Sequence, residues 1–67
     1  MTNFLDTMRR EKTNRITRDA VDRALGWAAW HYAAAHDANA RNSYAYAARN
    51  TQDGDMFIAR AIGYASR

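Results

Sequence analysis

Two histidines and three large aromatic rings fall within eleven residues, in "GWAAWHYAAAH" at positions 26–36. Histidine pairs hold metal when both rings share a helix face, which needs a spacing of four residues. His31 and His36 are five apart and point about 140° from each other around a helix of 3.6 residues per turn. There is no cysteine to complete a site. The spacing therefore argues against a metal centre. It leaves ring packing as the chemistry of this stretch.

On a helical wheel Trp27, Trp30, His31 and Ala34 share one face, and Val21, Leu25, Ala28, Tyr32 and Ala35 share another. A helix with two apolar faces needs two packing partners. The Val21–Leu25–Tyr32 face is the natural seat for the other helices. The Trp27–Trp30 face is then surplus for so small a core and reads as core or as a dimer interface. Ala28, Ala29, Ala33, Ala34 and Ala35 would let a neighbouring helix come close to interlock with the rings.

A second constellation lies in "ARNSYAYAARN", positions 40–50. Arg41, Tyr44, Tyr46 and Arg49 alternate cations with aromatics. Arginine and tyrosine are enriched where proteins grip one another, so these four are the expected partner-binding residues. The same mixture also stacks on bases and meets phosphates.

A third lies in residues 9–23, where six basic residues stand against three acidic ones, a net of +3. Arg9, Arg10, Lys12, Arg15 and Arg18 are the candidates if the ligand is nucleic acid. Asp19 and Asp22 count against that use, because carboxylates at the start of a recognition helix repel phosphate. Four acid-then-arginine pairs at i, i+4 spacing, Asp6–Arg10, Glu11–Arg15, Asp19–Arg23 and Asp37–Arg41, favour a solvated helical face instead.

Catalysis finds no support. No serine or cysteine stands beside a histidine at helical spacing, and there is no glycine-rich phosphate loop. A short helical chain also rarely encloses the roughly 300 Å³ that small-molecule sites use. No cofactor, metal or small-molecule substrate is expected.

The elements that must carry these residues are helices. Fifteen residues are alanine and none is proline. The expected architecture is a single all-α domain over 1–67, a small bundle of three to four helices near 3–12, 18–36, 38–50 and 55–66. Asn3 would cap the first helix. Thr17, with Ile16 and Val21 placed as a hydrophobic staple, would start the second after a break near Thr13–Arg15. Residues 18–50 read either as one helix of about 33 residues or, as the favoured reading, as a helix broken near 37–43, where polar turn formers cluster, with Asp37, Asn39 or Ser43 as the new cap. "NTQDGD", 50–55, reads as a last loop. "GDMFIARAIGYA" resembles the second helix of a tetratricopeptide hairpin at Gly54 and Ala59. Gly63 stands where that pattern has a large aromatic, and no second repeat follows, so the likeness is one of helical-hairpin grammar.

A 67-residue chain buries only roughly 60% of its unfolded surface. With no disulfide available, association is the expected remedy, and the sequence predicts a homodimer. No apolar run reaches the roughly 20 residues of a membrane span, and "MTNFLDTMRREK" is too charged for a signal peptide. The expectation is a cytoplasmic, complete small gene product. Its expected role is a non-enzymatic regulator or inhibitor of a larger protein or nucleoprotein complex, of the kind that phages and mobile elements use to block a host defence or regulatory machine. The alternative is a small basic nucleic-acid-binding regulator.

Overall fold

The computed structural model describes residues 4–66, with the backbone alone for Phe4 and Asp6. The expected Asn3 cap and the Asp6–Arg10 pair lie outside what is described. Two helices account for the described residues: α1 over Phe4–Ala40 and α2 over Tyr44–Ala65. They run antiparallel as one hairpin. The all-α expectation holds, but the bundle of three to four helices does not form, because two of the three expected breaks are helical.

The first missing break is at 13–17. "RREKTNR" is polar throughout, yet arginine, glutamate and lysine are good helix formers, and polarity alone does not end a helix. Thr13 is accommodated by turning its hydroxyl back on the Arg9 carbonyl at 2.9 Å. Thr17 is therefore interior, not a cap, and Ile16 stays exposed instead of forming a staple.

The second missing break is at 50–55. Here the polar residues are satisfied within the helix and across the hairpin. Asn50 Nδ2 donates to the Tyr46 carbonyl at 3.1 Å, and the Thr51 hydroxyl donates to the Ala47 carbonyl at 3.0 Å. Gly54 is buried against α1. The residues that looked like a loop tie α2 to α1, through His31–Asn50, Tyr32–Asp55 and the packing of Tyr32 on Gly54.

The third break is real and lies at the edge of the expected window. Arg41–Ser43 is the turn. Asn42 takes φ 63°, a left-handed conformation that asparagine tolerates better than most residues. The Ser43 amide donates to the Ala38 carbonyl at 2.8 Å, and the Asn42 amide to the Asn39 carbonyl at 3.1 Å. That pair of bonds is a Schellman closure, which satisfies the last carbonyls of α1. Ser43 occupies the N-cap position of α2, but its hydroxyl makes no capping bond.

The seam between the helices is made mostly of small residues at alternating spacings of four and three. On α1 it runs through Ala24, Ala28, His31, Ala35 and Ala38; on α2 it runs through Ala47, Asn50, Gly54, Phe57 and Ala61. This is the periodicity of an antiparallel coiled coil, with alanine where leucine would stand. Ala28, at 1% exposure, is the most deeply buried of the core alanines. The expected Leu25–Tyr32 face flanks the seam and remains partly exposed.

The helices differ in length. At 1.5 Å per residue, α1 spans about 55 Å and α2 about 33 Å. α1 therefore projects about 20 Å beyond the end of α2. The molecule measures 60 × 14 × 10 Å, with a radius of gyration of 17.1 Å. A compact chain of this length would have about 11 Å.

Candidate binding surfaces

The alanine seam forces the large side chains outward. Among the described residues no large side chain is fully buried, and the exposed set includes Leu5, Met8, Ile16, Leu25, Trp27, Trp30, Tyr44, Tyr46, Met56 and Ile62. The chain exposes 5520 Å² of surface, against about 4,300 Å² for a compact monomer of its 7.6 kDa mass.

The densest apolar group sits on one broad face of the hairpin. Trp27 stacks on Phe57 from the other helix, with centroids 6.2 Å apart and planes 22° apart. Trp30 meets Trp27 edge-on at 6.4 Å. His31 stacks on Phe57 at 5.6 Å and takes the edge of Trp30 at 5.0 Å. These are the offset and edge-to-face arrangements that ring quadrupoles favour. Even so, Trp27 and Trp30 are 55% and 56% exposed. The face also carries Arg60, whose guanidinium lies 5.1 Å from the Phe57 centroid. Beside it an open groove of about 260 Å³ is lined by Ala20, Arg23, Trp27, Phe57, Arg60 and Tyr64.

Of the residues assigned to this face from the sequence, Trp27 and Trp30 are exposed, while His31 and Ala34 are half-buried at its edge with the seam. His31 has a structural task. Its Nδ1 donates to Asn50 Oδ1 at 2.9 Å, because a carbonyl oxygen can only accept. Phe57 and Arg60 complete the cluster and were not singled out from sequence. Their signal was available in the i, i+3 spacing on the last helix, but not their meeting with Trp27, which depends on the hairpin register.

The four residues Arg41, Tyr44, Tyr46 and Arg49 are all exposed but do not make one patch. Arg41 pairs with Asp37 at 3.2 Å, and Tyr44 donates its hydroxyl to Asn42 Oδ1 at 2.8 Å beside the turn. Tyr46 and Arg49 lie one turn apart on α2. Among the described residues, Asp37–Arg41 is the one expected i, i+4 ion pair that forms.

The basic residues Arg9, Arg10, Lys12, Arg15 and Arg18 lie on the projecting part of α1 and are all exposed. They point to every side of that single helix, with Glu11 among them. Residues 7–18 carry a net charge of +4. Leu5, Met8 and Ile16 are exposed on the same arm.

Among the described residues no cluster of histidine and acidic side chains could hold a metal ion, and no helix is long and apolar enough to cross a membrane. Compared with known proteins, the chain matches no protein-family model, no curated protein and no solved structure.

Proposed function

We propose that this protein is a non-enzymatic binding module that regulates or inhibits a larger protein complex, gripping it with the projecting arm of α1. The observation that supports this reading is the arm itself: about 20 Å of helix that extends beyond the end of α2, basic on all sides, carrying Leu5, Met8 and Ile16 in the open. Isolated helices of this length are marginal in water, so a surface that receives the arm also stabilises it. A complementary receptor is an acidic groove with apolar pockets, the helix-in-groove mode of recognition.

The test is retention of a partner from cells expressing the tagged protein, compared with the variant Arg9→Glu/Lys12→Glu/Arg15→Glu. All three positions are exposed, so the hairpin itself stays folded by circular dichroism. Retention by the native chain and loss in the variant is the expected result. Equal retention by both removes the arm from the reading.

The net +4 of residues 7–18 favours a second reading, nucleic-acid binding through the same arm. Its signature is a mobility shift with duplex or single-stranded probes that weakens steeply as salt rises. No shift at low salt sinks it.

A further inference from the structure

We propose that the aromatic face is a self-complementary dimer interface, closed by a two-fold axis that lies in the face and crosses both helices at right angles. The occupant of the face is a second copy of this chain, seated with α1 antiparallel to α1 and α2 antiparallel to α2. This surface is separate from the arm, so it stands or falls independently of the proposed function.

The inference rests on where the side chains fall along the two helices. Asp53 and Arg60 lie on the same flank of α2 as Phe57, at spacings of four and three. Their midpoint falls between Met56 and Phe57, and each is about 5 Å from it along the axis. Among the described residues neither has a carboxylate–cation partner within its own chain. On α1, Trp27 and Trp30 have their midpoint between Ala28 and Ala29. The stacking of Trp27 and His31 on Phe57 puts the two midpoints at one level of the hairpin. A single two-fold axis through that level therefore performs both exchanges. It brings Asp53 of each copy to Arg60 of the other, twice, and Trp27 of each to Trp30 of the other. Arg23 is brought opposite Ala34, a small residue that leaves room for it. In an isologous interface each residue must find its complement on the same surface. Acid meets base, ring meets ring, and long meets short.

Charge order distinguishes the competing arrangement. With the two-fold axis parallel to the helices, α2 would lie over α1 of the other copy, and Asp53 would stay about 10 Å along the axis from the other copy's Arg60, so the two ion pairs would not form. The proposed four-helix arrangement has antiparallel neighbours throughout, as in four-helix bundles.

Sedimentation equilibrium across a concentration series tests the proposal, with fluorescence of Trp27 and Trp30 as a second readout. The native chain is expected to be a closed dimer, with tryptophan emission shifted to the blue as it forms. Asp53→Arg and Arg60→Asp each set like charges together and are expected to weaken the dimer by about tenfold or more in Kd. The double variant D53R/R60D restores opposite charges across the axis and returns the dimer to within about threefold of native. Circular dichroism checks that each variant keeps its helix content. Three results overturn the proposal: a monomer throughout the series, a ladder of larger assemblies, or a dimer indifferent to both single reversals.

Discussion

Asn50 is 4% exposed and receives the Nδ1 proton of His31 at 2.9 Å across the hairpin. Its own amide nitrogen donates to the Tyr46 carbonyl at 3.1 Å. The side chain thus joins α1 to α2 and ties itself to its own helix, in a seam lined mostly with alanine methyl groups. Replacing it by alanine removes the cross-helix bond and leaves the imidazole N–H without its acceptor. The expected loss is about 1–3 kcal/mol, read as a fall in the midpoint of thermal or urea unfolding. His31→Ala in the Asn50→Ala background is expected to cost much less than in the native chain, because the two residues act as a unit.

Gly54 and Gly26 are opposite cases of the same residue. A methyl group at Gly54 would stand 2.7 Å from the Tyr32 ring, whereas one at Gly26 meets nothing within 4 Å. Both lie inside helices, where alanine is favoured over glycine by about 1 kcal/mol. Gly26→Ala is therefore expected to stabilise the hairpin by about that amount. Gly54→Ala is expected to destabilise it, since overpacking costs about 1–3 kcal/mol and exceeds the helical gain. Equal stabilisation by the two substitutions contradicts the close approach of Tyr32 to α2.

Tyr32 donates its hydroxyl to Asp55 Oδ1 at 2.6 Å. That hydrogen bond, with lesser contributions from desolvation and from the Asp55 charge, holds the phenol above its usual pKa of 10.0. A group whose folded pKa is raised contributes stability below its unfolded pKa and loses it as pH climbs through the folded value. The native chain is therefore expected to lose stability above about pH 10 more steeply than Tyr32→Phe. Thermal melts at pH 9 and 11 for both chains measure the difference, the other titrating groups being common to both. Parallel behaviour of the two chains removes Asp55 as the cause.

Ala28 is the most deeply buried of the core alanines. Ala28→Leu inserts three heavy atoms into a seam with no room for them and is expected to cost about 1–3 kcal/mol or more. Ala29→Leu, one residue away on an exposed position, is expected to change stability by less than about 0.5 kcal/mol. Chemical denaturation of the pair locates the seam on α1.

Helix, turn and small-residue packing were legible in the residues themselves. The alanine run announced close helix approach, and the cluster from Asp37 to Ser43 announced the turn at Arg41–Ser43. What misled was the reading of polarity as interruption. "RREKTNR" has helix-forming residues and no tertiary duty, so it stays helical without burying anything. "NTQDGD" has turn-forming residues and a tertiary duty. Asn50 bonds to His31 and Gly54 lies under Tyr32. Such a segment looks like a loop until its partner is known, because intrinsic preference is a weak prior against packing. The aromatic face was half legible: Trp27 and Trp30 declare themselves by spacing, but Phe57 joins them only through the register of the hairpin.

That register has a further consequence. A seam of alanines repeats itself every seven residues, so methyl groups alone would let α2 slide one heptad along α1 at little cost in packing. Such a slip would carry Tyr32 from Gly54 to Ala47 or Ala61, where a Cβ occupies the space its ring requires. It would also carry His31 away from Asn50 to Ser43 or Phe57, breaking the bond to the buried amide. Two contacts 19 and 23 residues apart in the chain, His31–Asn50 and Tyr32–Asp55, therefore distinguish the native alignment from its nearest competitors. Removing both should give not an unfolded chain but a mixture of hairpins in slow or fast exchange, visible as multiplied or broadened amide resonances along α2.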